Sequence, residues 1–268
     1  MGMEANMKSL QELLQLTGKT AIVTGGAKGI GYGISYRLAE AGANVLIADI
    51  DERAARTTAA EFKEKGWAAE AIKVDVSSEA DVERMVAAAR ESFGSIEILV
   101  NNAGIYPSVP VARMTADEFD RVIQVNLRSV FLTTKHVAGA MKRTGKGGSI
   151  INITSIDALH PSMVGLAHYD ASKHGVWGFT MNSALELAAD NIWVNAVAPG
   201  GIQTSGVEAM QGNGPVDPKA TEAFMAKIPM QRMGVPDEIG KVVLFLASDM
   251  ASYMTGSQIV VDGGALLS

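Results

Sequence analysis

The sequence predicts an α/β fold: one domain spanning residues 1–268, built on a seven-stranded, mostly parallel sheet with helices on both faces. Three observations predict it. Short runs rich in Val and Ile recur with little polar alternation, as strands covered on both faces require. Stretches of helical periodicity separate them, and strand alternating with helix implies parallel neighbours joined by right-handed crossovers. Hydrophobic residues make up 47% and charged residues 19% of the chain, enough apolar material for a large core.

The elements follow in order. Residues 1–16, MGMEANMKSLQELLQL, place acidic and polar residues where a secretory segment needs an unbroken apolar run. Leu10, Leu13 and Leu14 predict a short amphipathic turn within an N-terminal extension. Strands are expected at 20–24, 44–49, 71–75, 98–101, 150–154, 194–197 and 259–261. Helices are expected from the glycine-rich turn to Ala41-Gly42, and over 80–93, 116–141, 169–188 and 236–248. Residues 200–229, where GNGP and several Met break any period, read as a substrate lid.

Composition excludes several classes of function. A net charge of −6 with scattered Lys and Arg offers no positive field, so nucleic acid is not an expected partner. The apolar run 242–247 is far short of the roughly 20 residues of a membrane span, so no membrane partner is expected. With no cysteine there is no thiol nucleophile or zinc-thiolate site, and a reduced, cytoplasmic setting is allowed. His136, His160, His168 and His174 have no metal-ligand spacing, so no metal is expected.

The first strand runs straight into TGGAKGIG, whose Gly25, Gly29 and Gly31 precede a helix. Glycine lets the backbone approach a pyrophosphate, and a helix start offers free amides and a positive dipole end; the alternative is an ordinary tight turn. Asp49 closes the second strand, placed to accept from an adenosine ribose or simply to start a turn with Asp51 and Glu52. A carboxylate there repels a 2'-phosphate and favours NAD, while Lys28 leaves NADP open. Asp75, followed by Val76, is placed for an adenine edge or for a strand-end turn. Asn101-Asn102-Ala103-Gly104 follows the fourth strand, at the edge where such sheets bind ligands.

Tyr169 and Lys173 stand four apart, on one helix face, where an ammonium would lower a phenol's pKa and ready it for proton exchange. Ser155 ends the fifth strand and serves either to hold a reacting oxygen or to cap a turn. Asn126 is an amide among apolar neighbours and needs a partner.

Together TGGAKGIG, NNAG, Asn126, Ser155, Tyr169 with Lys173, and PGGIQT resemble the short-chain dehydrogenase/reductase family over nearly the whole chain. The resemblance implies a Rossmann fold, and a catalytic set of Asn126, Ser155, Tyr169 and Lys173. Tyr169 would be the general acid/base, Lys173 would bind the nicotinamide ribose, Ser155 would orient the reacting oxygen, and Asn126 would support a water-linked relay. It implies a cofactor site of Gly25, Lys28, Gly29, Ile30, Gly31, Asp49, Ile50, Asp75, Val76, Asn102, Ala103, Gly104, Tyr169, Lys173, Pro199, Gly200, Ile202 and Thr204. A homotetramer is also implied. The fourteen-residue step from Ser155 to Tyr169 is one longer than in many members, so a bulge is expected there.

The expected substrate is a small alcohol or ketone. Ile105, Tyr106, Pro107, Asp157, His160, His168 and Gln203 mix apolar and hydrogen-bonding types, which suits a sugar, sugar acid or polyol. A 3-oxoacyl-carrier reductase would need a basic patch, with Arg113, Arg128 and Lys135 as candidates. A steroid or aryl alcohol dehydrogenase is a further alternative. A non-catalytic nucleotide sensor would have lost the Tyr–Lys pair.

Overall fold

A computed structural model describes residues 7–204 and 225–268. After α1 (Leu10–Leu14) the chain alternates β1 (Thr20–Thr24), α2 (Gly29–Glu40), β2 (Asn44–Asp49), α3 (Glu52–Glu64), β3 (Ala69–Lys73), α4 (Glu79–Phe93) and β4 (Ile98–Asn101). It continues through α5 (Ala116–Ile123), α6 (Ser129–Thr144), β5 (Gly148–Ile153), α7 (Ala167–Leu187), β6 (Ile192–Pro199), α8 (Pro236–Ala247) and β7 (Gln258–Val261). The seven strands form one parallel sheet in the order β3-β2-β1-β4-β5-β6-β7. Chain order reverses between β1 and β4, which leaves a crevice at their carboxyl ends.

Strand periodicity divides the core. Ala21, Val23, Ile98, Val100, Ile151 and Ile153 pack on one face with Ile34, Leu38, Phe62, Val243 and Leu246. Ile22, Leu99 and Ile150 point the other way, into Met85, Leu132, Met141 and Leu187. A residue period of two on strands buried on both sides produces these two layers. Helices α2 and α8 cross almost backbone to backbone, since a Cβ on Gly33 would stand 2.6 Å from the Pro236 carbonyl carbon.

Two expectations need correction. Strand β3 begins and ends two residues earlier than expected, because it pairs with β2 from Val45↔Ala69 to Asp49↔Lys73. Asp75 therefore lies beyond the ladder, and its carboxylate accepts from the Ser77 amide and hydroxyl as a turn residue. The single helix expected over 116–141 is interrupted by a π-helical turn at Gln124–Arg128. Periodicity does not reveal such a turn, which inserts one residue without breaking the apolar face. The expected lid at 200–229 falls mostly on residues 205–224, outside the described residues.

Candidate active site

The crevice is lined first by the turn after β1. Gly25 and Gly29 have φ of +60° and +52°, in the region that favours glycine. A Cβ on Gly31 would overlap the Gly25 carbonyl and stand 2.6 Å from Asn102 Nδ2, so the turn closes only with glycine there. Helices α3, α4 and α5 start under side-chain caps from Asp51, Ser78 and Thr115, whereas α2 starts at Lys28 with no side-chain cap. Its first amides thus point toward a cradle with no side-chain acceptor in place, the donor set an anionic pyrophosphate needs.

The loop after β4 is tied to this cradle. Asn102 donates from Nδ2 to the carbonyls of Thr24 and Gly25, both at 3.0 Å. The Asn102 and Ala103 amides donate to Thr24 Oγ1 at 3.0 and 3.2 Å. On the other flank, Thr204 lies 3.3 Å from where a Gly29 Cβ would be, which brings the segment after Pro199 against the turn. Ile202 is buried and bridges Gly234, and Gly200 fits only because a side chain would collide with Asp262. Half-buried Asp49 accepts from the Ala27 and Asp51 amides at 3.1 and 3.0 Å, fixed at the mouth beside exposed Ile50. Lys28 pairs with Asp51 at 2.7 Å. Val76 is buried just below.

One strand further along, Ser155, Tyr169 and Lys173 converge. Ser155 follows β5, and Tyr169 and Lys173 occupy successive turns at the start of α7. Lys173 is 5% exposed, donates to the Ile153 carbonyl at 2.8 Å, and lies 5.6 Å from the Tyr169 ring centroid. Burial pulls its pKa down to about 8, with Asp157 pulling upward. The phenol does not follow expectation. Burial pushes the Tyr169 pKa well above its ordinary value; a hydrogen bond with Ser155 pulls it down, and Asp157, Tyr106 and Asp170 push it up. The expected lowering by Lys173 does not set the phenol's titration; desolvation dominates, and the hydrogen bond that lowers it comes from Ser155.

Asn126 is 1% exposed, in the π-helical turn, and fully engaged. It accepts from the Ile105 amide, donates to the Ile105 carbonyl, both at 2.8 Å, and donates to Ser172 Oγ at 3.1 Å. Ser172 in turn donates to the Tyr169 carbonyl at 2.6 Å. A Cβ on Gly104 would stand 3.3 Å from Asn126 Oδ1 and 3.8 Å from Lys173 Nζ, so Gly104 is where these residues face the loop after β4.

The polar residues expected around a substrate are mostly occupied elsewhere. His168 is fully buried, its Nδ1 accepting from the Tyr169 amide. His160 bonds the Pro161 carbonyl on the exposed loop that absorbs the long Ser155–Tyr169 step. Asp157 is 7% exposed and accepts from Ser155 Oγ at 2.8 Å and from the Ser162 amide at 2.9 Å. Exposed Gln203 has no side-chain hydrogen bond among the described residues. Sequence reasoning missed Thr24 and Ser172, short hydroxyls with no motif of their own. It also missed a buried ladder in which Asn101 donates to Asn152 at 2.8 Å and Asn152 to Thr180 at 2.9 Å, which seats α7 on the sheet.

Comparison with known proteins shows the family. A family model described as enoyl-(acyl carrier protein) reductase matches residues 25–265. The chain belongs to the short-chain dehydrogenase/reductase family. It is 41% identical to 3beta-hydroxysteroid dehydrogenase 2 of Eggerthella lenta, over 93% of this chain and 95% of that one. It is 37% identical to the 3-oxoacyl-[acyl-carrier-protein] reductase FabG of Thermotoga maritima, over 95% and 100%. A solved 7 alpha-hydroxysteroid dehydrogenase, complexed with NADH and 7-oxo glycochenodeoxycholic acid, superposes with TM-score 0.90 at 34% identity over 96% and 98% of the two chains. This short-chain dehydrogenase/reductase is accordingly an NAD(P)-dependent oxidoreductase acting on alcohol and ketone groups. Among the described residues no helix is long and apolar enough to cross a membrane.

Proposed function

We propose that this chain interconverts a secondary alcohol and its ketone with NAD, using Tyr169 as the proton-exchanging group. The observation that carries the reading is the convergence of Tyr169, Lys173 and Ser155 beside a glycine cradle at one sheet edge. Gly25, Gly29, Ile30 and Gly31 would hold the pyrophosphate; Asn102, Ala103, Gly104, Pro199, Gly200, Ile202 and Thr204 would flank the nicotinamide half. Bound there, a nicotinamide dinucleotide supplies the hydride acceptor or donor and, when oxidised, a positive ring charge. Tyr169 gives its proton to a ketone oxygen or takes it from an alcohol. Lys173, held by Ile153, keeps a positive charge by the phenol, and Ser155 fixes the reacting oxygen. Asn126 holds Ile105 and Ser172, and so the backbone on either side of Tyr169.

Asp49, already fixed by two amides, supports NAD over NADP, since a 2'-phosphate would bring a second negative charge to it. Lys28, the cation nearest to hand, is already paired with Asp51. Asp75 and Val76 would border the adenine.

For the substrate, an alcohol on an extended apolar body, as in a hydroxysteroid, is the best-supported class. A cleft of about 440 Å³ beside Gly104 is walled by Ile105, Tyr106, Pro107, Val109 and Val122, and Met163 and Val164 are exposed on the loop before α7. The similarity to two hydroxysteroid dehydrogenases points the same way. A sugar, sugar acid or polyol is the second reading, favoured by Glu118 and Arg121 in the same cleft wall. For the carrier-protein reading, Lys135 is paired with Glu79 and Arg128 donates to the Ser77 carbonyl, which leaves exposed Arg113 as the candidate with no described side-chain partner. Exposed Phe131, Met181 and Leu185 on α6 and α7 support a homotetramer, and a cytoplasmic setting accords with the absence of cysteine. The test is reduced-nicotinamide absorbance over hydroxysteroids, sugars, polyols, hydroxy acids and simple secondary alcohols. Turnover of hydroxysteroids at micromolar concentration is expected, and turnover of polyols alone would overturn the substrate class.

A further inference from the structure

Lys28 is the one cation in the glycine turn, and a free ammonium beside Asp49 would offset the repulsion on which a preference for NAD depends. The structure gives that ammonium another partner. Strands β1 and β2 pair in register up to Thr24↔Ala48, so the loops that follow them leave the sheet side by side. Lys28 stands at the start of α2 in the first loop, and Asp51 at the start of α3 in the second. Lys28 Nζ donates to Asp51 Oδ2 at 2.7 Å. Asp51 Oδ1 accepts from the Ala54 amide at 3.0 Å as the cap of α3, and the Asp51 amide donates to Asp49 Oδ1, also at 3.0 Å. Both Asp51 oxygens are therefore in use, and its backbone is tied to the carboxylate proposed to meet the ribose. The acid cannot leave the helix it caps without opening the Ala54 amide. The lysine, on a long flexible stem, goes to where the acid is fixed.

We propose that Asp51 is a cofactor-selecting residue: it anchors Lys28 at the cap of α3 and so withholds it from the 2'-phosphate of NADP. Asp49 repels that phosphate, and Asp51 removes the ammonium that would otherwise receive it, so two carboxylates with different tasks set the choice. The pair is exposed, 62% for the lysine side chain and 44% for the acid, so it holds weakly and its release is worth a factor of about five rather than a hundred. Arg53, exposed and without a described side-chain partner, is a second cation in the loop after β2, and the experiment has to separate it from Lys28.

This inference rests on the proposed preference for NAD. Its test is the ratio of NADPH to NADH dissociation constants, read by fluorescence titration of the full chain without turnover. Wild type is expected to give a ratio of at least about ten. Asp51→Asn keeps an oxygen for the Ala54 amide and drops the charge; it is expected to lower the ratio about fivefold. Asp51→Ser, another strong cap with no charge, must do the same, which separates the charge from any loss of α3. The deciding arm is Lys28→Met in both backgrounds. With Asp51→Asn it is expected to bring the ratio back to within about twofold of wild type, whereas alone, where the ammonium is already held, it is expected to change the ratio by about twofold or less. Equal effects of Lys28→Met in the two backgrounds mean that the two charges act independently, and overturn the proposal. So does a ratio unmoved in folded Asp51→Asn and Asp51→Ser. A gain from Asp51→Asn that survives Lys28→Met but is lost with Arg53→Met assigns the phosphate to Arg53 and overturns it as well. A wild-type ratio near one instead overturns the preference for NAD itself, and the inference with it.

Discussion

Gly31→Ala is the sharpest perturbation of the cofactor cradle. The added methyl would overlap the Gly25 carbonyl oxygen, lie 2.8 Å from its carbon and stand 2.6 Å from Asn102 Nδ2, where ordinary contact begins near 3.4 Å. Neither neighbour can swing aside cheaply. One is backbone, and the other is held by two 3.0 Å hydrogen bonds to Thr24 and Gly25. Overpacking of this kind costs about 1–3 kcal/mol, and breaking the two Asn102 bonds adds about 1–3 kcal/mol. The sum, about 2–6 kcal/mol, falls on the turn whose amides would meet the pyrophosphate. If half of it, about 1–3 kcal/mol, is expressed as misplacement of those amides, NADH affinity drops by about fivefold or more. The assay is NADH binding by fluorescence alongside thermal unfolding, with Gly178→Ala as control, because a Cβ there meets nothing within 4 Å. A Gly31→Ala protein that binds NADH within twofold of wild type and melts with it would refute the reasoning.

The remaining predictions concern charge. Lys173 falls from 10.5 to about 8 on folding, so between those values the unfolded chain holds the extra proton and stability rises with pH. Wild type should gain up to about 2 kcal/mol between pH 8 and 10 relative to Lys173→Met, measured by urea unfolding; Tyr169, whose pKa is raised, opposes only above its ordinary 10. Parallel stability curves for the two proteins would contradict the burial argument. Asp49→Ser should raise kcat/KM with NADP at least tenfold while lowering it with NAD, as a removed carboxylate–phosphate repulsion of about 1.4 kcal/mol or more requires; an unchanged ratio removes Asp49 from cofactor choice.

Much of this was legible in the sequence because buried parallel strands advertise themselves as unbroken apolar runs. Thr20–Thr24 and Ile98–Asn101 were expected at the bounds the structure gives. The glycine turn and NNAG were readable too, but not their linkage: nothing in the order of residues says that Asn102 closes on Gly25, which follows from β1 lying beside β4. The π-helical turn escaped because Val122 and Val130 stay apolar and buried on either side of it. The two-residue slip of β3 came from reading Val74 as strand, whereas register with β2 ends at Lys73. Asp157 was expected beside the substrate, but not its engagement: only the fold shows that it accepts from Ser155 Oγ and from the Ser162 amide. His168 follows its structural reading, since neighbours on a helix point in different directions: it is fully buried and its Nδ1 accepts from the Tyr169 amide.

The most direct measurement is alcohol-dependent formation of reduced nicotinamide by wild type and Tyr169→Phe, with NADH affinity determined for both. The account predicts that the variant binds NADH within about twofold of wild type yet loses at least about a thousandfold in kcat, since one hydroxyl carries the proton exchange. Turnover in the variant within about tenfold of wild type would contradict it.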